Sequence, residues 1–521
     1  MALNPLRSLE EWLPDNGVVS ADQRLVVAAL ESGAASGDAG PLERIDTPTS
    51  HVFLGSRHVY KLKRSRRLPF VDLSTVEHRR RMCEAELGVN RALAPELYEA
   101  VRPVVRTPTG ALRIGGDGEV LDWIVQTRRF PDGQLFDEIA RAGQLSEAHV
   151  AEACDAIAAF HARLPAHRET GHTADYRRTI AGLRKAETEA AAALGLAPAS
   201  GPLFGALDRE ALRQSELIEV RRRQGWVRRG HGDLHLRNIC VFNGRATPFD
   251  ALEFDPALAT TDVLYDFAFL LMDLRARGLD ALANRAMNRY FDVSGTPAEA
   301  LALLPFFMAL RAAVRMAVAV GGGSLGEADD YRRLGVRLLR PTRPLLVAIG
   351  GLSGSGKSAV AAQVAPRLPG CCGARLLRTD VLRKSRLGAS SAAALPADAY
   401  TRAARTAVYR RLAREAQASL EADCPVVADA TFQTQGARTM IEAAGRGRRF
   451  TAVWLRASAA RRAARVAQRR GDASDATAAL ALAQKEPKAL GAAWTAIDAE
   501  AAVHAVADAV LRQVGAGPVR A

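Results

Sequence analysis

Asp233 and Asn238 stand five residues apart in the run His231-Gly232-Asp233-Leu234-His235-Leu236-Arg237-Asn238. A carboxylate at the first of these positions can take the proton of a hydroxyl group, and an amide about one turn later can reach a divalent cation; phosphoryl transfer to a hydroxyl needs both. Asp250, in Pro248-Phe249-Asp250 after a strand-like run at residues 239–242, is placed to add a second metal ligand. Further along the chain, residues 351–358 read Gly-Leu-Ser-Gly-Ser-Gly-Lys-Ser. Glycine lets backbone N–H groups turn inward at the positive end of a helix, and so builds a cradle for phosphate. Gly351, Ser353, Gly354, Ser355 and Gly356 make this P-loop, Lys357 is placed for the β- and γ-phosphates, and the Ser358 hydroxyl for Mg²⁺. Each set by itself implies ATP and Mg²⁺.

The P-loop has partners. Leu376-Leu377-Arg378-Thr379-Asp380-Val381-Leu382-Arg383 ends a strand-like run, and an aspartate there can orient or deprotonate an acceptor hydroxyl. Arg383, one helical turn after Asp380, suits an anionic group of the acceptor. Asp429, after the apolar run Val426-Val427-Ala428, is the candidate for holding Mg²⁺ through water. Arg465, Arg469 and Arg470 form a basic helix face that is either solvated or a lid over the transferred phosphoryl group.

The upstream set needs a phosphate-binding lysine. Only seven of the 71 basic residues are lysine, and Lys61 and Lys63 fall in Val59-Tyr60-Lys61-Leu62-Lys63, where alternation puts both on one face of a strand. Lys61 is preferred for phosphate. Its ion-pair partner is expected on the following helix, where Glu84 and Glu86 compete and spacing favours Glu86. A glycine-rich phosphate loop is missing; the hydroxyls and amides of Asp46-Thr47-Pro48-Thr49-Ser50-His51 stand in its place. Residues 123–130 are expected to cross between two lobes and meet adenine.

These residues need elements to position them. With 521 residues the chain calls for more than one core, and 48% hydrophobic residues support globular packing throughout. Residues 1–39 read as a helical extension ending in the flexible run Ser32-Gly33-Ala34-Ala35-Ser36-Gly37. Strand runs at 51–54, 58–63, 101–105 and 123–127, with a helix over 73–94 capped by Ser74 or Thr75, give a small lobe of about 40–130. Mostly helical sequence over 131–340 forms a second lobe. Pro341 and Pro344 mark a boundary, and over 344–521 apolar runs alternate with helical stretches as in a parallel α/β fold. The net charge of +14 comes from scattered arginines without a basic tail, so nucleic acid is the less favoured partner. Six cysteines without metal spacing, no apolar leader and no clean apolar stretch of eighteen residues point to a cytoplasmic protein outside membranes.

Residues 40–335 resemble the aminoglycoside phosphotransferase-like kinases, a two-lobed α+β relative of the protein kinases. The likeness rests on His231, Asp233, Asn238, Asp250 and the segment Asp262-Val263-Leu264-Tyr265-Asp266-Phe267-Ala268, in which Asp266 is read as an anchor for the catalytic loop. Residues 344–515 are similar to small P-loop kinases related to gluconate kinase, polynucleotide kinase and zeta toxins, with Asp380 and Arg383 as the most informative match. The combination resembles a bacterial family of bifunctional aminoglycoside phosphotransferase-like and P-loop ATP-binding (AAA-type small kinase) proteins. What the resemblance implies is a tandem kinase acting on hydroxyl groups of a small molecule. Two other readings stay open: a C-terminal activity on nucleic-acid ends, and an ATP sensor whose N-terminal kinase-like domain does not turn over.

Overall fold

The computed structural model describes residues 21–47, 49–68, 71–253, 255–387, 395–468 and 477–516. They form two compact units: Met1–Ala276 with Pro305–Leu339, and Arg277–Leu304 with Arg340–Ala521.

In the first unit a six-stranded antiparallel sheet runs in the order Glu43–Asp46, Ser50–Leu54, His58–Lys63, Glu119–Arg128, Tyr98–Arg106, Leu112–Ile114. The outer strands Glu43–Asp46 and Leu112–Ile114 lack the apolar alternation that marks a strand in sequence. Helix Val76–Leu93 packs beside this sheet. The Thr75 side chain caps it by accepting from the His78 N–H at 3.1 Å, and it stops just short of Pro95.

The N-terminal segment differs from the expectation of a separate extension. Helix Ala21–Glu31 buries Val26 and Leu30 against Phe53, Tyr60, Leu62 and Ile124, so it is a layer of the small lobe. Gln23 ties it in by donating to the Lys63 carbonyl at 3.0 Å and to Asp122 at 2.8 Å. The run read as flexible is a tight turn in which Gly33 has φ +80° and a Cβ would lie 2.2 Å from the Gly40 carbonyl oxygen.

The rest of the first unit is mostly helical. Helix Val263–Ala276 is buried continuously from Val263 to Leu274, and the hairpin Ile239–Phe242 with Arg245–Pro248 carries the catalytic-loop sequence at its start. One run, Ala298–Gly321, is long and apolar enough to cross a membrane by length and composition, although 72% of its most apolar window is buried inside the protein. Arg311 and Arg315 interrupt that run, which is why it does not read as a clean apolar stretch.

The second unit is built on a five-stranded, wholly parallel sheet in the order Arg375–Arg378, Val426–Asp429, Leu345–Gly351, Arg449–Arg456, Trp494–Asp498. Leu346, Val426 and Trp454 pack on one face, and Val347, Val427 and Val453 on the other; burial on both faces explains the continuous apolar runs. Arg277–Leu304 also belongs to this unit, so the boundary read at Pro341 does not separate the units in chain order. Helix Asp280–Val293 lies against the edge strand Arg375–Arg378. Asn284 donates to the Cys372 and Ala374 carbonyls at 2.6 and 2.9 Å, Asn288 accepts from the Leu376 N–H at 2.7 Å, and Asp292 pairs with Arg375 at 2.6 Å. Side chains one helical turn apart thus satisfy a backbone edge that would otherwise be open.

Candidate active sites

In the first unit the strand His58–Lys63 brings both lysines to helix Val76–Leu93. Lys61 Nζ lies 3.0 Å from Glu86 and 2.5 Å from Asp250, while Lys63 Nζ lies 2.5 Å from Glu86 and 2.5 Å from Glu253. Glu86 is fully buried, whereas Glu84 faces outward and pairs with Arg80 at 3.0 Å. Burial alone would raise the Glu86 pKa, but the two ammonium groups hold it at about 2. Lys61 is pushed well above its ordinary value: burial opposes the charge, and Asp250, Glu86 and Glu253 overcome it. Two cations against three carboxylates leave one negative charge unbalanced, which suits a divalent cation.

Asp250 occupies this place through its neighbours. Its φ is +62°, a left-handed conformation that costs a non-glycine residue of order 1 kcal/mol. Asn90, one turn beyond Glu86, holds the segment by accepting from the Ala251 N–H at 2.8 Å, and the Asp250 N–H donates to the Tyr98 hydroxyl at 3.2 Å. Helix Val76–Leu93 therefore fixes Lys61, Lys63 and Asp250 together. Asn90, Tyr98 and Glu253 were not singled out in the sequence; the four-residue step from Glu86 to Asn90 is the one signal that could have pointed to them.

The catalytic loop is hung from Asp266. This buried carboxylate accepts from the backbone N–H groups of His231 at 2.8 Å and Gly232 at 2.7 Å, and contacts His161 Nε2 at 3.0 Å. Burial would raise its pKa, but His161, His231 and Arg311 bring it down to about 2. His231 is kept neutral mainly by burial. Its Nε2 donates to the Phe249 carbonyl at 2.8 Å and its Nδ1 accepts from the Asp233 N–H at 3.3 Å, so its partners define the tautomer and join the loop to the Asp250 segment.

Asp233 is held in the ionised state. Its burial opposes charge, yet His235 and His231 lower its pKa below the usual carboxylate range. Asn238 Nδ2 lies 2.9 Å from Asp233 Oδ2, and His235 Nε2 lies 3.3 Å from the same oxygen. Both contacts fall on Oδ2, which leaves Oδ1 for an acceptor hydroxyl. With its amide nitrogen spent on Asp233, Asn238 offers its amide oxygen to a metal.

The turn in place of a glycine loop closes on itself. The Thr47 hydroxyl donates to the Ser50 carbonyl and accepts from the Ser50 N–H, both at 2.9 Å, and the Ser50 hydroxyl is buried. The Thr47 hydroxyl thus serves the turn and the Ser50 hydroxyl is turned inward, unlike the phosphate cover expected of them; Pro48 lies outside the described residues. At the other end of the sheet Phe130 meets Phe249 edge-on at 5.6 Å, after strand Glu119–Arg128 has ended.

In the second unit strand Leu345–Gly351 leads into the loop, and helix Lys357–Val364 follows, capped by Gly356 at φ +90°. Gly354 is required by space as well as by conformation: at φ +85°, a Cβ there would lie 2.4 Å from the Arg462 carbonyl oxygen. The Ser353 N–H is held by Gln484 Oε1 at 2.8 Å. Lys357 is 8% exposed, and Ser358 follows it in the first turn. Asp429 ends its strand beside the loop in register with Ile349, 3% exposed, with Oδ2 3.4 Å from Arg378 Nε. Its Oδ1 is buried without a hydrogen-bond partner among the described residues, as a carboxylate reserved for a metal or its water would be. The glycine cradle and this orphaned oxygen fit nucleotide and Mg²⁺.

Asp380 and Arg383 meet on helix Thr379–Arg386 at 2.8 Å, and the Arg383 guanidinium lies 4.8 Å from the centre of the Tyr400 ring. Arg465 has a different employment from the lid expected of it. It donates to the Ser355 carbonyl at 3.2 Å and to the Ala499 carbonyl at 2.8 Å, and so braces the back of the P-loop. Arg469 and Arg470 lie outside the described residues. Arg462 is 5% exposed beside Gly354.

Residues 57–303 match the family model of the phosphotransferase enzyme family, and residues 346–487 match that of an AAA domain. The chain carries both kinase-type domains. An uncharacterized protein of Mycobacterium tuberculosis is 29% identical over 461 residues, spanning 84% of this chain and 88% of that protein. Among solved structures, a choline kinase from Cryptosporidium parvum aligns over 61% of this chain and 94% of its own, at 11% identity and a TM-score of 0.38. A gluconokinase from Sinorhizobium meliloti aligns over 34% of this chain and 94% of its own, at 21% identity and a TM-score of 0.25. A protein-kinase-like N-terminal domain that matches the phosphotransferase enzyme family is thus followed by a P-loop domain on a parallel sheet. Together the two kinase-like domains imply phosphotransferase activity.

Proposed function

We propose that the chain is a tandem ATP-dependent phosphotransferase with two Mg²⁺-ATP sites, each passing the γ-phosphoryl group to a hydroxyl of a small molecule. One pattern supports the reading: each unit, taken by itself, carries two aspartates and a lysine suited to an acceptor hydroxyl, a metal and phosphate. These are Asp233, Asp250 and Lys61 in the first unit, and Asp380, Asp429 and Lys357 in the second. Mg²⁺ would be held by Asn238 and Asp250 at one site and by Ser358 and Asp429 at the other, and supplies charge neutralisation for the phosphates. At the first site Asp233 accepts the proton of the acceptor hydroxyl as its oxygen takes the γ-phosphoryl group and ADP leaves. Lys61, held by Glu86, steadies the phosphates. At the second site Asp380, in the first turn of the helix that follows strand Arg375–Arg378, does the same work, and Arg383 orients an anionic group of the acceptor. A need for ATP supports a cytoplasmic setting for this activity.

The test is untargeted. Full-length protein is incubated with labelled ATP and a metabolite extract, and phosphorylated products are compared among wild type, Asp233→Ala and Lys357→Ala. The proposal expects two product sets, one lost in each variant; ATP binding without any labelled product in wild type sinks it. The Asp380–Arg383 pair also supports a second reading, transfer to nucleic-acid ends. Labelling of a 5′-hydroxyl oligonucleotide that depends on Lys357 and Asp380 would favour it over a small-molecule acceptor.

A further inference from the structure

A cavity of about 500 Å³ opens beside Asp233, of a size that takes a drug-sized molecule. Its walls include Tyr176, Tyr265 and Phe269, all at most 5% exposed, and Leu258 at 48% exposed. Tyr176 meets Tyr265 edge-on at 5.5 Å, so the aromatic wall is continuous. Two of the hydroxyls along it are committed to backbone carbonyls. The Thr179 and Thr260 hydroxyls donate to the carbonyls of Asp175 and Pro256 at 3.2 and 2.7 Å.

The charges around the cavity disfavour a cation. Apart from Asp233, the carboxylate there is Asp175, which accepts from the N–H groups of Gly171 and His172 at 2.8 and 2.9 Å and is paired with Arg178. Arg311 also lines the cavity. It is 5% exposed, donates to the Gly232 carbonyl at 3.0 Å and stacks 3.9 Å from the Tyr265 ring centre. A molecule with several ammonium groups needs several free carboxylates, and here, with Asp175 and Arg178 paired to each other, it would meet the Arg311 guanidinium and one unspent carboxylate that is required as the base.

From this we infer that the acceptor of the first site is an uncharged, hydroxylated molecule with an apolar ring or chain, its hydroxyl at Asp233 and its apolar body on the Tyr176–Tyr265–Phe269 wall. The inference rests on Asp233 as the base, and names the class of molecule that the site excludes as well as the class it takes: polyamine-like sugars are rejected.

The test uses full-length Lys357→Met protein, in which the P-loop site is silenced, with three probes: 4-nitrophenyl β-D-glucopyranoside, D-glucose and kanamycin. Binding is measured calorimetrically with a non-hydrolysable ATP analogue and Mg²⁺, and transfer with labelled ATP. The glucoside is expected to bind at least tenfold more tightly than glucose or kanamycin, and Leu258→Glu, at a half-exposed wall position, to weaken it about tenfold. Circular dichroism of that variant verifies its fold. Kanamycin binding as tightly as the glucoside, or no glucoside binding, overturns the inference. Glucoside binding that Leu258→Glu weakens, without transfer, supports the acceptor class while counting against phosphoryl transfer at Asp233.

Discussion

Asp266→Asn removes the carboxylate from which the catalytic loop hangs. The native group accepts two backbone N–H bonds at 2.8 and 2.7 Å and a His161 contact at 3.0 Å while only 1% exposed. The amide that replaces it keeps one acceptor oxygen, so its NH₂ group is turned toward at least one donor. One charge-assisted bond is lost and another N–H is left buried and unpaired, costing together about 3 kcal/mol. Amide exchange at His231 and Gly232, read by hydrogen–deuterium exchange, is expected to accelerate by two orders of magnitude or so. Transfer dependent on Asp233 falls with it, while ATP turnover that requires Lys357 is unchanged.

The same carboxylate has a pH signature. Its pKa stands at about 2 in the folded chain against an ordinary 3.8, so the folded state favours the ionised form. The sign is that of a depressed acid: the stabilisation, about 2 kcal/mol, is fully present above the ordinary value and is lost as pH falls through the folded one. Exchange at His231 and Gly232 should therefore rise as pH drops from 4 toward 2 by more than the intrinsic pH dependence, and Asp266→Asn should abolish the excess. Unchanged protection in Asp266→Asn, together with unchanged turnover, would refute the anchoring role.

Three other substitutions and one truncation test other parts of the two units. Lys63→Met leaves fully buried Glu86 and nearly buried Glu253 without their shared cation and should lower the stability of the first unit by about 3–5 kcal/mol in urea, whereas Lys61→Met should leave it folded and raise the KM for ATP. Gly354→Ala brings a Cβ to 2.4 Å from the Arg462 carbonyl oxygen at φ +85°, so calorimetric ATP affinity at the P-loop site should fall at least about a hundredfold with the first site intact. A chain begun at residue 344 lacks Asp292, Asn288 and Asn284; with Arg375 buried and unpaired it should be less stable by about 3–5 kcal/mol than the same unit in the full chain, as urea unfolding of the P-loop region would measure.

How far the sequence carries depends on how local each feature is. The P-loop was legible because glycines, lysine and serine lie in one strand–loop–helix, and its neighbours Asp380 and Asp429 each end a recognisable apolar run. Lys61 with Glu86, and Asp233 with Asn238, could be read from the period of a strand, a helix and a loop. What stayed hidden depends on contacts far apart in the chain. Glu253 matters because Lys63 sits opposite it, 190 residues away, and Asn90 because it accepts from the Ala251 N–H 161 residues on.

The helix Asp280–Val293 makes the point most sharply. Asn284, Asn288 and Asp292 recur every four residues, and taken alone such a stripe reads as a solvated helix face in the middle of a helical lobe. Its meaning comes from Arg375 and the open edge of strand Arg375–Arg378, 87 residues on from Asn288. A polar stripe and an arginine at a strand edge are each unremarkable in sequence; only the fold makes them one another's partners. The boundary at Pro341 was inferred from chain stiffness, a local property, whereas unit membership follows from which buried polar groups would be left unsatisfied if the segment were removed. By that criterion residues Arg277–Leu304 support the edge strand that leads into Asp380, and so the geometry of the second acceptor site is set in part by sequence that precedes the P-loop domain.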